Sequence, residues 1–168
     1  MKFGHVGITV QDLDRSVSFY SEVFGFEEFF RVTRETDWIA ETVGYARAKL
    51  EFSHMRGASG MHLELIKYHI PEGEPLGWGD CRGSHIPGAS HMCLWVEDAE
   101  AVAKKVYDWI HGRPPSEDGR PLLKSWKQTV EIPEGPQKGG KGFYMRDPDG
   151  FTVEVWQPSP MGAGFGQD

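Results

Sequence analysis

The chain writes one pattern twice, and that repetition limits its fold more than any other feature. It opens GHVGITVQDLDRSVSFYSEVFGF, and near its middle it reads ASHMCLWVEDAEAVAKKVYDWI. Each copy places a histidine at the head of a short alternating run, then an acidic pair, then a stretch of helical spacing. His5 and His91 are 86 residues apart, as are Val10 and Val96, and Asp12 and Asp98. Gly25 and Gly112 are 87 apart, and Glu64 and Glu154 are 90 apart. A nearly constant offset over five features predicts an internal duplication of a unit of about 80 residues, longer than a solenoid repeat.

Within the first copy, residues 3–10 alternate as a half-buried strand does. Val6, Ile8 and Val10 share one face, and His5, Gly7 and Thr9 share the other. Asp12 or Asp14 offers an N-cap, and Leu13, Val17, Tyr20 and Phe24 follow at helical spacing until Gly25 stops the helix. Three strands are expected next, over 26–34, 45–54 and 60–68. In the second copy a strand is expected over 89–96. A helix capped by Asp98 follows, bearing Ala99, Val102, Val106, Trp109 and Ile110, with strands near 126–132, 141–146 and 151–157. The fold class is therefore α+β: two tandem βαβββ modules, 1–70 and 89–157, whose mixed sheets form a concave cleft. A linker over 71–88 joins them, a surface loop occupies 111–126, and a flexible tail covers 158–168.

Composition narrows the function. The 168 residues carry a formal net charge of −7, which argues against phosphate-driven nucleic-acid binding. No apolar run approaches the roughly 20 residues of a membrane span, and the N-terminus lacks a secretory pattern. Two cysteines, Cys81 and Cys93, make neither a disulfide framework nor a CxxC. The expected location is the cytoplasm.

Strand alternation then places the polar residues. In MHLELIKY, Met61, Leu63 and Leu65 share one face and His62 and Glu64 the other. In FTVEVWQP, Val153 and Val155 share one face and Thr152, Glu154 and Trp156 the other. If each helix covers the apolar face, the free faces of two concave sheets gather His5, Glu64, His91 and Glu154. A carboxylate in a cavity is costly unless paired or bound to a cation. Two imidazoles and two carboxylates suit one divalent metal ion, whether Ni, Co, Mn, Fe or Zn. His62 is an alternative ligand or a rim residue. Trp95, Trp156 and Phe143 line a substrate pocket or fill the core. His54, His69, His85 and His111 read as surface or loop residues.

These residues resemble the vicinal oxygen chelate superfamily, which includes glyoxalase I, methylmalonyl-CoA epimerase, extradiol dioxygenases and the fosfomycin and bleomycin resistance proteins. The motifs that carry the resemblance are HVGITVQDLDRSVSFYSEVFGF, ASHMCLWVEDAEAVAKKVYDWI and KGGKGFYMRDPDGFTVEVWQP, spanning residues 3–157. The resemblance implies paired βαβββ modules around a metal cleft, with the ligand set His5, Glu64, His91 and Glu154 closest to glyoxalase I. It implies a lyase or isomerase acting on a small carbonyl substrate that chelates the metal through vicinal oxygens. Glu64 or Glu154 serves as the base, and the reaction passes through an enediolate. A homodimer is expected, with the site formed within one chain or across two. A ring-cleaving dioxygenase is the alternative. Its triad is His5, His91 and Glu154, with Tyr144 ten residues before the carboxylate, but it lacks the histidine such enzymes carry seven to nine residues before that tyrosine. A metal-free drug-binding protein is the third reading.

Overall fold

The computed structural model describes residues 1–74, 84–112 and 129–160. The chain divides into two compact units, Met1–Leu76 and Gly77–Asp168. The first contains β1 (Val6–Thr9), α1 (Leu13–Phe24), β2 (Glu27–Arg34), α2 (Asp37–Val43), β3 (Lys49–Arg56) and β4 (His62–Ile70). The second contains β5 (His91–Trp95), α3 (Ala99–His111), β6 (Val130–Glu131), β7 (Lys141–Arg146) and β8 (Thr152–Gln157). Each unit holds a four-stranded mixed sheet, in the orders β1-β4-β3-β2 and β5-β8-β7-β6. The first strand of each unit pairs in parallel with the last, and the remaining pairs are antiparallel. The fold is α+β, as the alternation of apolar residues predicts.

The caps explain where the long helices start and stop. The Asp12 carboxylate accepts from the Arg15 N–H at the start of α1, and Gly25 ends it in the left-handed conformation at φ 72°. The Asp98 carboxylate accepts from the Glu100 and Ala101 N–H groups at the start of α3. The buried stripe of α1 is Leu13, Ser16, Phe19, Tyr20 and Val23, turned about one residue from the expected stripe, so Val17 and Phe24 are half-buried. That stripe packs on the face carrying Ile8, Met55, Leu63 and Leu65, all nearly inaccessible. In the second unit Val102, Val106 and Trp109 pack over Met145, Val153 and Val155. Ile110, expected in that stripe, is half-buried.

The first unit carries one element beyond the expected βαβββ order: residues 35–44 contain a short helix, α2, between β2 and β3. The Thr36 hydroxyl accepts from the Ile39 N–H, and Gly44 closes α2 at φ 80°. Ile39 and Ala40 bury against Ala48 and Leu50, with Val43, Phe52, Ile66 and Tyr68 around them. Leu50, Phe52, Ile66 and Tyr68 lie on the face opposite α1, so α2 covers one end of that face. The neighbouring strands are displaced to match. β3 begins at Lys49 rather than 45, and β4 runs to Ile70. The expected loop over 111–126 and the tail over 158–168 lie largely outside the described residues, as does much of the linker.

Candidate metal centre

Two histidine–carboxylate pairs occupy the sheet faces turned away from α1 and α3, one in each unit. In the first, Glu64 stands in register opposite Gly7, and His5 precedes Gly7 by two residues. The His5 Nε2 lies 3.4 Å from Glu64 Oε2. In the second, Glu154 stands opposite Cys93, and His91 precedes Cys93 by two. The His91 Nε2 lies 3.1 Å from Glu154 Oε2. The same offset on the same kind of parallel pair makes the same candidate half-site twice. In both, the imidazole is about half-exposed and the carboxylate largely covered, at 14% for Glu64 and 19% for Glu154. Among the described residues, no group of three or more His, Cys, Asp or Glu side chains is already arranged to hold a cation. Each unit supplies one nitrogen and one carboxylate from the expected set.

The first half-site has neighbours that the duplication does not announce. His54, expected at the surface, sits on β3 directly opposite Glu64, with Nδ1 3.6 Å from Glu64 Oε1. The same nitrogen lies 2.9 Å from His62 Nε2. His62, expected as a ligand or rim residue, therefore joins the cluster, its ring centroid 5.3 Å from that of His5. Burial, followed by the neighbouring His54 and His5, holds the His62 imidazole below its ordinary pKa. Signal for His54 existed in the alternation Leu50, Phe52, His54, which puts it on the Glu64 face.

In the second half-site Tyr144 stands opposite Glu154, its ring centroid 5.2 Å from that of His91. Burial and then the Glu154 charge raise its pKa. Cys93 shares this face, and burial followed by the Glu154 carboxylate pushes its thiol up to about 12. Trp95 and Trp156 stand opposite each other two residues further along. Trp156 lies over Gly142, where an added Cβ would meet the indole at 2.8 Å, so only glycine fits there. Trp95 and Gln157 border an open depression at the β5–α3 junction, at the far end of β5 from His91. Phe143 does not belong to the site. It pairs with Val155, is buried, and faces α3 with Met145, because alternation sends it to the side opposite Tyr144.

A mixed four-stranded sheet repeated in two units, each with a histidine and a glutamate in the same register, defines a duplicated protein whose first βαβββ copy carries the added helix α2. The model of the glyoxalase/bleomycin resistance protein/dioxygenase superfamily matches residues 2–155, and the chain belongs to that superfamily. It is 27% identical to a 2-epi-5-epi-valiolone epimerase of Actinomyces sp., over 97% of this chain and 82% of that protein. It is 24% identical to a lactoylglutathione lyase of Haemophilus influenzae, over 99% of both. A glyoxalase family protein from Bacillus cereus has a similar fold, with a TM-score of 0.75 at 18% identity over 95% of both chains. A fosfomycin resistance protein of Listeria monocytogenes, solved with Mn(II) and sulfate, superposes with a TM-score of 0.51 at 14% identity, over 95% of this chain and 94% of that one.

Proposed function

We propose that this protein is a metal-dependent lyase or isomerase acting on a small carbonyl compound with two neighbouring oxygens. The ligands proposed are His5, Glu64, His91 and Glu154, contributed within one chain or across a homodimer. The observation that carries this reading is the repeated histidine–glutamate pair, built by one register in each unit. The donor set fits a divalent cation: imidazole nitrogen and carboxylate oxygen, with both carboxylates largely covered and in need of a positive partner. Relatives named as a lactoylglutathione lyase and an epimerase support the lyase or isomerase class. The structure solved with Mn(II) supports a metal in this fold.

When bound, such a cation supplies Lewis-acid polarisation of a carbonyl oxygen. The chain's own residues do the rest. His5 and His91 present Nε2 from the leading edge of their strands, where the half-exposed rings meet the substrate side. Glu64 or Glu154 takes the proton from the carbon beside the carbonyl and returns it to a neighbouring or opposite position. His54 and His62 crowd the Glu64 carboxylate, whereas Glu154 has a tyrosine opposite it, so the two glutamates are chemically unlike.

The test combines metal content, oxygen uptake and turnover on a panel of small carbonyl compounds and aromatic diols. Metal-loaded protein is expected to convert a carbonyl compound without consuming oxygen. Glu64→Gln and Glu154→Gln are each expected to retain the fold, and loss of the base among them to cut turnover at least about a hundredfold. Wild-type turnover in both variants overturns the role of these glutamates. Oxygen consumption dependent on a diol replaces this reading with a ring-cleaving dioxygenase. Failure to retain Mn, Ni, Zn or Fe in dialysis replaces it with a binding protein.

A further inference from the structure

On the face of the first unit turned away from α1, β3 and β4 place Arg56 directly opposite His62, and His54 directly opposite Glu64. The second unit repeats this block at an offset of 90: Arg146 stands opposite Thr152, and Tyr144 opposite Glu154. The two copies use the arginine differently. Arg146 is half-buried and donates to the Gly150 carbonyl at 3.2 Å and to the Thr152 hydroxyl, so its guanidinium braces the turn that starts β8. Arg56 is exposed; Glu27 stands opposite it on β2, and among the described residues no ion pair joins Arg56 to a carboxylate. Its guanidinium carbon instead sits 4.7 Å from the centroid of the Phe29 ring.

Two further differences fall in the same copy. Thr152 is matched by His62, and Tyr144 by His54. The Glu64 carboxylate, which only accepts, lies near the same His54 Nδ1 that approaches His62 Nε2. A proton on His54 Nδ1 would make His62 Nε2 the acceptor and leave the His62 Nδ1–H to donate elsewhere. The register shift between Glu28 and Phe30 turns Phe29 outward beside these groups, as bulges do. Phe29 and Phe30 are each about half-exposed, with rings 5.5 Å from His62 and 5.6 Å from His54.

We propose that Arg56 and His62 form an oxyanion subsite beside the Glu64 half-site, and that the substrate carries a carboxylate or phosphate group there. The guanidinium offers a planar fork of donors matched to such an anion, and the imidazole adds one more. Phe29 and Phe30 supply an apolar wall for the carbon skeleton. The inference rests on the proposed chemistry only in taking the ligand to be the substrate, because anion binding is read without turnover.

The test is calorimetric titration of the full chain with inorganic phosphate and with acetate, on wild type, Arg56→Gln, Arg56→Lys and Arg47→Gln. Arg47 is an exposed arginine paired with Glu35, so its variant controls for charge alone. Saturable binding to wild type is expected, weakened at least about tenfold in Arg56→Gln and less in Arg56→Lys, with Arg47→Gln unchanged. Tighter binding of phosphate assigns a phosphoryl group, and tighter binding of acetate a carboxylate. Equal binding by wild type and Arg56→Gln overturns the subsite, as does an absence of saturable binding by wild type. Saturable anion binding that is lost in Arg56→Gln, in a protein that retains no metal on dialysis, would sink the proposed metal chemistry and leave the subsite standing.

Discussion

His91 Nε2 lies 3.1 Å from Glu154 Oε2, across a parallel strand pair whose register opposes Glu154 to Cys93. The His5–Glu64 pair repeats this relationship at 3.4 Å, with Gly7 in the place of Cys93. Each half-site brings two of the four proposed ligands, too few by themselves to hold a transition metal firmly. If both serve one cation, removing either histidine empties the site. His5→Ala and His91→Ala are each expected to lower metal affinity at least about a hundredfold, the upper end of what losing even an outer partner costs. Metal content after dialysis distinguishes the cases: near-total loss in each single variant supports one shared ion, and retention of half the metal shows two independent sites.

Much of this arrangement is legible in the sequence because strand alternation is strict. Once Leu63 and Leu65 are assigned to the core, Glu64 must point the other way, and the same holds for Glu154 between Val153 and Val155. The same parity argument excludes Phe143 from the face of Tyr144. The helix α2 is harder to read. Seven residues carry two turns, and Trp38, Ile39 and Val43 also suit a strand. Thr36 and Gly44 mark its ends, and those signals outweigh propensity once tertiary burial of Ile39 and Ala40 is available. His54 is hidden for another reason. Its counterpart in the second copy is Tyr144, so a search for repeated histidines passes over it.

The α2 cluster gives a stability prediction with an internal control. Leu50 is fully buried beneath Ile39 and Ala40, whereas Trp38 on the same helix is 58% exposed. Leu50→Ala is expected to cost about 2–5 kcal/mol, through lost transfer energy and the cavity left behind. Trp38→Ala is expected to stay within about 0.5 kcal/mol of wild type. Urea denaturation measures both. Comparable losses in the two variants would show that α2 is not anchored through Leu50.

A charged network on the other face sets a pH dependence. Arg31 donates to Glu28 at 2.7 Å and to Asp14 at 2.6 Å, linking β2 to the first turn of α1, and the Ser53 hydroxyl donates to Glu28 at 2.7 Å. Burial alone would raise the Glu28 pKa, but the hydrogen bonds from Arg31 and Ser53 together outweigh it and hold it below 4.5. A carboxylate with a depressed folded pKa contributes stability above its unfolded value, and that stability is lost as pH falls through the folded value. Arg31→Gln is expected to lose about 1–3 kcal/mol at pH 7. The deficit should shrink as the pH drops below 4.5, because the wild type then loses the same contribution. Denaturant melts at pH 7 and pH 3 measure it, and a deficit independent of pH would exclude Glu28 as its source.

A buried carboxylate anchors the turn that delivers Glu154. Asp147 is fully buried, and its Oδ1 accepts from the Asp149 N–H at 3.0 Å and the Phe151 N–H at 2.8 Å. Pro148 fixes one backbone angle in this Asp-Pro-Asp-Gly turn, and Gly150 adopts φ 90°, which a side chain would disfavour. Asp147→Ala strips the acceptor from both N–H groups and is expected to cost about 2 kcal/mol or more. Asp147→Asn keeps an oxygen in place and should lose less. Because β8 starts at Thr152, loosening the turn should also weaken metal retention at the proposed ligands His91 and Glu154, whereas Leu50→Ala acts in the other unit. Thermal melts and metal content on the same preparations check both effects. An Asp147→Ala protein as stable and as metal-retentive as wild type would show that the Asp147 carboxylate does not set the turn.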